Sequence, residues 1–60
     1  MSENAKKVWK IAERNDLATV LEHVIDDLEA FADDLERDCK IEIEGEVLGA
    51  IYAKIEKNAR

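Results

Sequence analysis

Residues 16–38 read DLATVLEHVIDDLEAFADDLERD and carry the clearest periodic pattern in the chain. Their large apolar residues recur at spacings of four and three, which places them on one stripe of an α-helix. The stripe consists of Leu17, Leu21, Val24, Leu28, Phe31 and Leu35. Val20, Ile25 and Ala32 lie beside it and widen it into a face that can cover a core. We therefore predict one long helix over 16–38, with Leu28 and Phe31 at the centre of the core.

The N-terminal segment also has helical spacing, which predicts a first helix over about residues 3–14. With about 100° of rotation per residue, its apolar group at 5–12 centres roughly 170° away from the stripe at 17–35. A single straight helix would point these two groups in opposite directions. We therefore predict a turn within residues 13–17, with Asp16 as N-cap of the long helix and Val8 or Trp9 packed against that helix. The alternative is one continuous helix whose N-terminal face contacts another chain.

Residues 39–44, CKIEIE, alternate apolar and polar side chains, and Ile41 and Ile43 are β-branched, which is typical of a strand. No second strand is evident in the sequence. The segment at 40–44 is thus expected to be either an extended linker or a strand that pairs with a second copy or a target. Helical spacing returns after Gly45 and predicts a third helix over about 46–58. The expected fold is mostly α, a small three-helix domain with a short extended or β segment.

The size and residue content of the chain restrict its chemistry. Sixty residues form one domain, 1–60, with a single small core. Cys39 is the only cysteine and His23 the only histidine, which excludes an intrachain disulfide and disfavours a structural zinc site. Cys39 has no neighbouring base that would make it a nucleophile, and neither glycine belongs to a phosphate-binding motif. We expect no enzyme activity, no cofactor and no metal site.

The net charge of -6 is concentrated in the middle of the chain. Residues 16–46 contain twelve acidic and two basic residues, a balance of -10, while segments 1–15 and 47–60 are each +2. Nucleic acid and anionic lipid repel such a segment, so we expect no direct nucleic-acid binding and no membrane association. No apolar run approaches the ~20 residues of a membrane span, and no apolar segment resembles a secretory signal. These features predict a cytoplasmic protein.

The helix predicted over 16–38 has an acidic face. Glu22, Asp26, Glu29 and Asp33 share a stripe opposite the apolar one, Glu36 lies on the same polar side, and Asp27, Asp34 and Asp38 border the core. From residue 22 to residue 38 there are eight acidic residues and one basic residue, so lysines at i,i+4 do not relieve the repulsion. Stripe members rise about 4.5–6 Å per step, compared with ~3.4 Å between phosphates of a nucleic-acid strand. The predicted partner-binding residues are Glu22, Asp26, Glu29, Asp33 and Glu36.

These observations favour a protein that acts by binding. The leading hypothesis is a small acidic inhibitor or adaptor that blocks a basic, nucleic-acid-binding surface of a partner protein, as phage-type anti-CRISPR or anti-restriction nucleic-acid mimics do. The alternative is a homodimeric helical oligomerisation or antitoxin-like regulatory module, with dimer contacts through Trp9, Ile41 and Ile43. A third interpretation is that the acidic face only keeps a small protein soluble.

Overall fold

A computed structural model describes residues 2–59, and this range is mostly helical, as predicted. It contains four α-helices: α1 (Glu3–Arg14), α2 (Ala18–Val24), α3 (Leu28–Arg37) and α4 (Glu44–Asn58). A 3₁₀ turn (Lys40–Glu42) connects α3 to α4. The first helix begins and ends where the pattern predicted it.

Helix α1 ends in a tight turn within residues 13–17, as predicted. The backbone N–H of Leu17 donates to the carbonyl of Ala12 at 2.7 Å, and the N–H of Asp16 donates to that of Glu13 at 3.2 Å. Asp16 has a φ of 58°, so this pair of bonds around a left-handed residue is a Schellman motif. The expectation that Asp16 caps the next helix is wrong, because its left-handed backbone ends α1. Leu17 occupies the N-cap position of α2, with no side-chain cap bond.

The single long helix predicted over 16–38 is instead two helices. Residues 25–27 interrupt it, with extended backbone at Ile25 and Asp27. The Asp27 carboxylate accepts a hydrogen bond from the Ala30 N–H at 3.2 Å and caps α3. An unbroken helix of this length would measure about 35 Å, whereas the Cα trace extends only 29 Å in its longest direction. The break therefore allows both halves of the apolar stripe to reach one small core.

The segment at 40–44 is not a strand, and residues 2–59 contain none. Lys40–Glu42 form the 3₁₀ turn, Ile43 is extended, and α4 begins at Glu44, two residues earlier than predicted. Cys39 precedes the turn with a φ of 62°. The Ile43 N–H donates to the Lys40 carbonyl at 3.0 Å, so a local bond serves this amide and no partner strand is needed.

The core lies where α1 meets α3 and α4, and α2 packs against α1 and α4. The largest fully buried side chains are those of Leu21, Ile51, Val8 and Val47. Val8 belongs to the same buried cluster as Phe31 and Leu35 of α3, which agrees with the predicted packing of α1. Phe31 is buried as expected, but Leu28 is only half-buried and packs at the margin of the core. The break before α3 turns Leu28 away from the position that an unbroken helix would have assigned to it.

Candidate partner-binding surface

The five predicted binding residues are all exposed, but they no longer form one stripe. Glu29, Asp33 and Glu36 lie on α3 at spacings of four and three, and we call them the outer row. Glu22 lies on α2 and Asp26 lies in the break between α2 and α3. The structure therefore brings three of the five together on one helix face and places the other two on adjoining segments.

Glu29 differs from the other members of the outer row because it also has a bond within the fold. The backbone N–H of Ser2 donates to its carboxylate at 2.7 Å. The backbone and hydroxyl donors of Ser2 lower the pKa of Glu29 below its ordinary value. Ser2 is also the N-cap of α1, so this carboxylate connects the start of α1 to α3. Glu29 therefore has a structural role besides any role in binding.

A second group of carboxylates borders a cleft of about 420 Å³, which is lined by both polar and apolar side chains. The cleft lies beside α3, and its walls include Val24 and Ile25 from the helix break and Lys54 from α4. Phe31 and Leu35 contribute its apolar floor. Four acidic residues also line it, namely Asp26, Asp27, Asp34 and Asp38. We call this cleft the acidic groove.

The acids of the groove have different partners. Asp27 caps α3. Asp34 forms an ion pair with Arg37 of the same helix, with 3.3 Å between the carboxylate oxygen and the guanidinium nitrogen. Neither Asp26 nor Asp38 is paired with a cation within residues 2–59. Their charges therefore face solvent outside any ion pair in that range, and they remain available to a cationic partner.

The ion pairs that join different elements lie on another part of the surface. Lys7 of α1 lies 3.7 Å from Glu42, and Arg14 of α1 pairs with Glu44 at the start of α4. The Arg14 guanidinium, with help from the Asn15 amide, lowers the pKa of Glu44. Bases of α1 thus pair with Glu42 and Glu44, whereas no such cross-element pair reaches the acids of α2 and α3 in the described range.

Sequence reasoning placed Asp34 and Asp38 at the border of the core but did not identify the groove. Two signals in the sequence point toward it. Asp27 follows the β-branched pair of Val24 and Ile25, whose side chains favour helix interiors less than alanine or leucine, and aspartate is a favoured N-cap. Asp34 and Asp38 each follow an apolar residue, Phe31 or Leu35, by three positions, so they fall on one side of the helix next to these residues.

Two further features are absent from residues 2–59. No three His, Cys, Asp or Glu side chains in this range are arranged to hold a metal ion. None of the helices in it combines the length and apolar character needed to cross a membrane. Comparison with protein-family models, with curated proteins and with solved structures found no match to the chain.

Proposed function

We propose that this chain is a small acidic inhibitor or adaptor that blocks a basic, nucleic-acid-binding surface of a partner protein. Phage-type anti-CRISPR and anti-restriction nucleic-acid mimics act in this manner. The observation that carries the proposal is the state of the eight acids between residues 22 and 38. All eight are exposed, and within residues 2–59 only Asp34 has a cationic partner.

Within residues 2–59, Asp34 alone among the acids of α2 and α3 has a compensating cation, which supports a role in binding over a role in folding. Like charges three or four residues apart destabilise a helix by a few tenths of a kcal/mol per pair. The same chain places Lys7 and Arg14 against acids elsewhere, so compensating contacts are available to this fold. An acidic surface attracts a basic partner over a Debye length of about 8 Å at physiological salt and speeds encounter.

The outer row has a spacing that suits a surface evolved for nucleic acid. Glu29 and Asp33 are separated by about 6 Å along the helix axis, and Asp33 and Glu36 by about 4.5 Å. Phosphates of a nucleic-acid strand recur every ~3.4 Å of duplex axis. Arginine and lysine side chains are long enough to adapt to this wider spacing, since their charged groups lie at the ends of flexible stems.

The test compares two variants that lose the same number of charges. The face variant is Glu22→Gln, Asp26→Asn, Asp33→Asn and Glu36→Gln, and it leaves the structural Glu29 unchanged. The control variant is Glu3→Gln, Glu13→Gln, Glu46→Gln and Glu56→Gln, four exposed acids outside this face. A nucleic-acid-binding partner is first isolated by affinity capture from the native cell, and its Kd is then measured against each variant.

We expect the face variant to bind at least about fourfold more weakly, because four exposed ion pairs at 0.2–1 kcal/mol each amount to about 0.8–4 kcal/mol, and every 1.4 kcal/mol is tenfold. The control variant should bind nearly as tightly as the unmodified protein. Added salt should weaken the unmodified protein most, since the Debye length falls to about 3 Å at 1 M. Equal affinities for the two variants would show that the acidic face is not the binding surface.

A homodimeric regulatory module is the second candidate. Ile41 is buried in the core, but Ile43 is 57% exposed and Tyr52 is 54% exposed. Near Tyr52 on α4, Gly45 and Gly49 have no neighbour within 4 Å of the position that a Cβ would occupy. Such a bare helix surface suits close packing of a second copy. Sedimentation equilibrium tests this candidate directly: a dimer mass favours it, and a monomer mass at high concentration excludes it.

A further inference from the structure

We infer that the acidic groove binds one face of a short basic helix of the partner, with an apolar side chain against Phe31 and Leu35 and cationic side chains at the rim. The inference rests on the proposed function, since it specifies which part of a basic partner is recognised. It concerns a partly different set of contacts, because the groove shares Asp26 with the predicted binding residues but also includes Asp34 and Asp38 and none of the outer row.

The floor of the groove offers an apolar surface in addition to the charges at its rim. Val24 and Ile25 are half-buried, and they line the groove together with the edges of Phe31 and Leu35. A side chain seated there would remove their remaining apolar surface from water, which is favourable in proportion to the area covered. Ala30, an exposed small residue, leaves the entrance of the groove open on the α3 side.

The rim selects for a cationic occupant. Four carboxylates line the groove, and within residues 2–59 Lys54 is the only cation that does so. Asp26 and Asp38 have no ion pair in that range. A lysine or arginine of the bound helix could therefore pair with either carboxylate without breaking an existing ion pair. An acidic or neutral apolar segment would gain the floor contact but would be repelled or left unpaired at the rim.

The shape of the groove fits a helix better than a small molecule. Asp27, Ala30, Phe31, Asp34, Leu35 and Asp38 line it at spacings of three, one, three, one and three, so it follows α3 for about 16 Å. This length accommodates about three turns of a bound helix, and amphipathic helices bind such grooves through their own residues at i, i+3, i+4 and i+7. Small-molecule sites orient their ligands with a few placed polar groups, and residues 2–59 contain no buried polar side chain.

Synthetic peptides can test the inference with the full chain. The probe is an amphipathic helix of about four turns, with leucines on one face and lysines elsewhere. A second peptide has glutamine in place of each leucine and keeps the charge, and a third has glutamate in place of each lysine and keeps the leucines. Binding is measured by fluorescence anisotropy, and the contact is located by amide NMR shifts.

We expect the basic apolar peptide to bind at least about tenfold more tightly than either of the others, because only it satisfies both floor and rim. The largest shifts should fall on Val24, Ile25, Phe31 and Asp34. Ala30→Phe should fill the entrance and weaken binding by about tenfold. Ala53→Phe, which adds the same side chain at an exposed position of α4 outside the groove, should have no effect.

Equal binding of the lysine–leucine and lysine–glutamine peptides, or no effect of Ala30→Phe, would overturn the inference. Failure of all three peptides to bind would overturn it as well. The proposed function is judged separately by the face and control variants against the partner. Loss of binding in the face variant with no loss in Ala30→Phe would retain the proposed function and reject the groove as the binding site.

Discussion

The backbone N–H of Ser2 donates a hydrogen bond of 2.7 Å to the carboxylate of Glu29. Residues 27 positions apart in the chain are thereby joined, and the start of α1 is fixed to α3. At the other end of α1, Arg14 pairs with Glu44, and the Asn15 amide donates to the second oxygen of that carboxylate at 3.4 Å. Two exposed carboxylates thus hold the two ends of the helix that lies at the centre of the fold.

Acid should weaken both of these contacts. The pKa of Glu29 and that of Glu44 are lowered in the folded state. The contribution of these two carboxylates to the stability of the fold is therefore fully present above the unfolded pKa of about 4.3. It is lost as the pH falls through the lower folded pKa. We expect Glu29→Gln with Glu44→Gln to reduce stability at pH 7 and to have a much smaller effect at pH 3. Urea denaturation of both proteins at the two pH values measures this.

The control for the acid prediction is Glu3→Gln with Glu56→Gln, which removes two exposed acids that have no ion pair within residues 2–59. It should change stability little at either pH. A difference between the unmodified protein and the Glu29/Glu44 variant that stays constant down to pH 3 would contradict the assignment of these contacts.

Leu21 and Leu28 should differ in their contributions to stability. Leu21 is 1% exposed and Leu28 only half-buried, so Leu21→Ala leaves a cavity and Leu28→Ala mainly exposes a surface. We expect Leu21→Ala to cost about 2–5 kcal/mol and Leu28→Ala at least about 1 kcal/mol less. Urea midpoints followed by circular dichroism provide the comparison. Equal losses would place Leu28 in the core, as the unbroken helix required.

The Asp27 cap should account for part of the stability of α3. Asp27→Ala removes the acceptor for the Ala30 N–H and should cost about 1 kcal/mol. Asp27→Asn retains an acceptor and should cost less, and Asp26→Ala, one residue away, should be nearly neutral because Asp26 makes no cap bond in the described range. Free energies of unfolding for the three variants test this. A larger loss for Asp26→Ala than for Asp27→Ala would mean that α3 begins elsewhere.

The left-handed backbone at Cys39 makes a further stability prediction. A φ of 62° costs an L-residue roughly 1–2 kcal/mol, and β-branched side chains tolerate it least. Cys39 is exposed, so its substitution changes few contacts. We expect Cys39→Gly to maintain stability or raise it by up to about 1–2 kcal/mol, and Cys39→Val to lower it, because valine adds the strain of a β-branched side chain to the cost that Cys39 already bears. Thermal unfolding of the two variants decides the matter, and similar melting temperatures would argue against this backbone geometry.

Local signals made α1 predictable from the sequence. Its ends depend on residues next to them: the Ser2 hydroxyl accepts from the Ala5 N–H at 3.2 Å, and Asn15 and Asp16 form the turn. The phase difference between the apolar groups on either side of that turn was enough to locate it. Only the predicted role of Asp16 was wrong. Both the position that follows the end of a helix and the N-cap of the next helix favour small polar residues, so the residue type alone does not distinguish them.

The break at residues 25–27 was not predictable from periodicity, because the apolar stripe passes through it without a change of phase. Val24 and Leu28 keep a helical spacing of four across the extended residues. One unbroken helix over 16–38 would be longer than the whole fold, and the dimensions of the fold depend on how the helices pack together. The acidic groove depends on this break, since Val24 and Ile25 line it beside α3. Exposure of the five predicted acids followed from their spacing, but the positions of Asp34 and Asp38 around a cleft did not.

The most direct test of the central claim is competition for the partner's nucleic-acid-binding surface. A labelled nucleic acid is bound to the captured partner, and the present protein is added while fluorescence anisotropy is recorded. Mutually exclusive binding predicts complete displacement, with an apparent Kd for nucleic acid that rises in proportion to the concentration of the added protein, and a much weaker effect of the face variant. A stable ternary complex, with the affinity for nucleic acid unchanged, would contradict the proposal that this acidic surface occupies the nucleic-acid site.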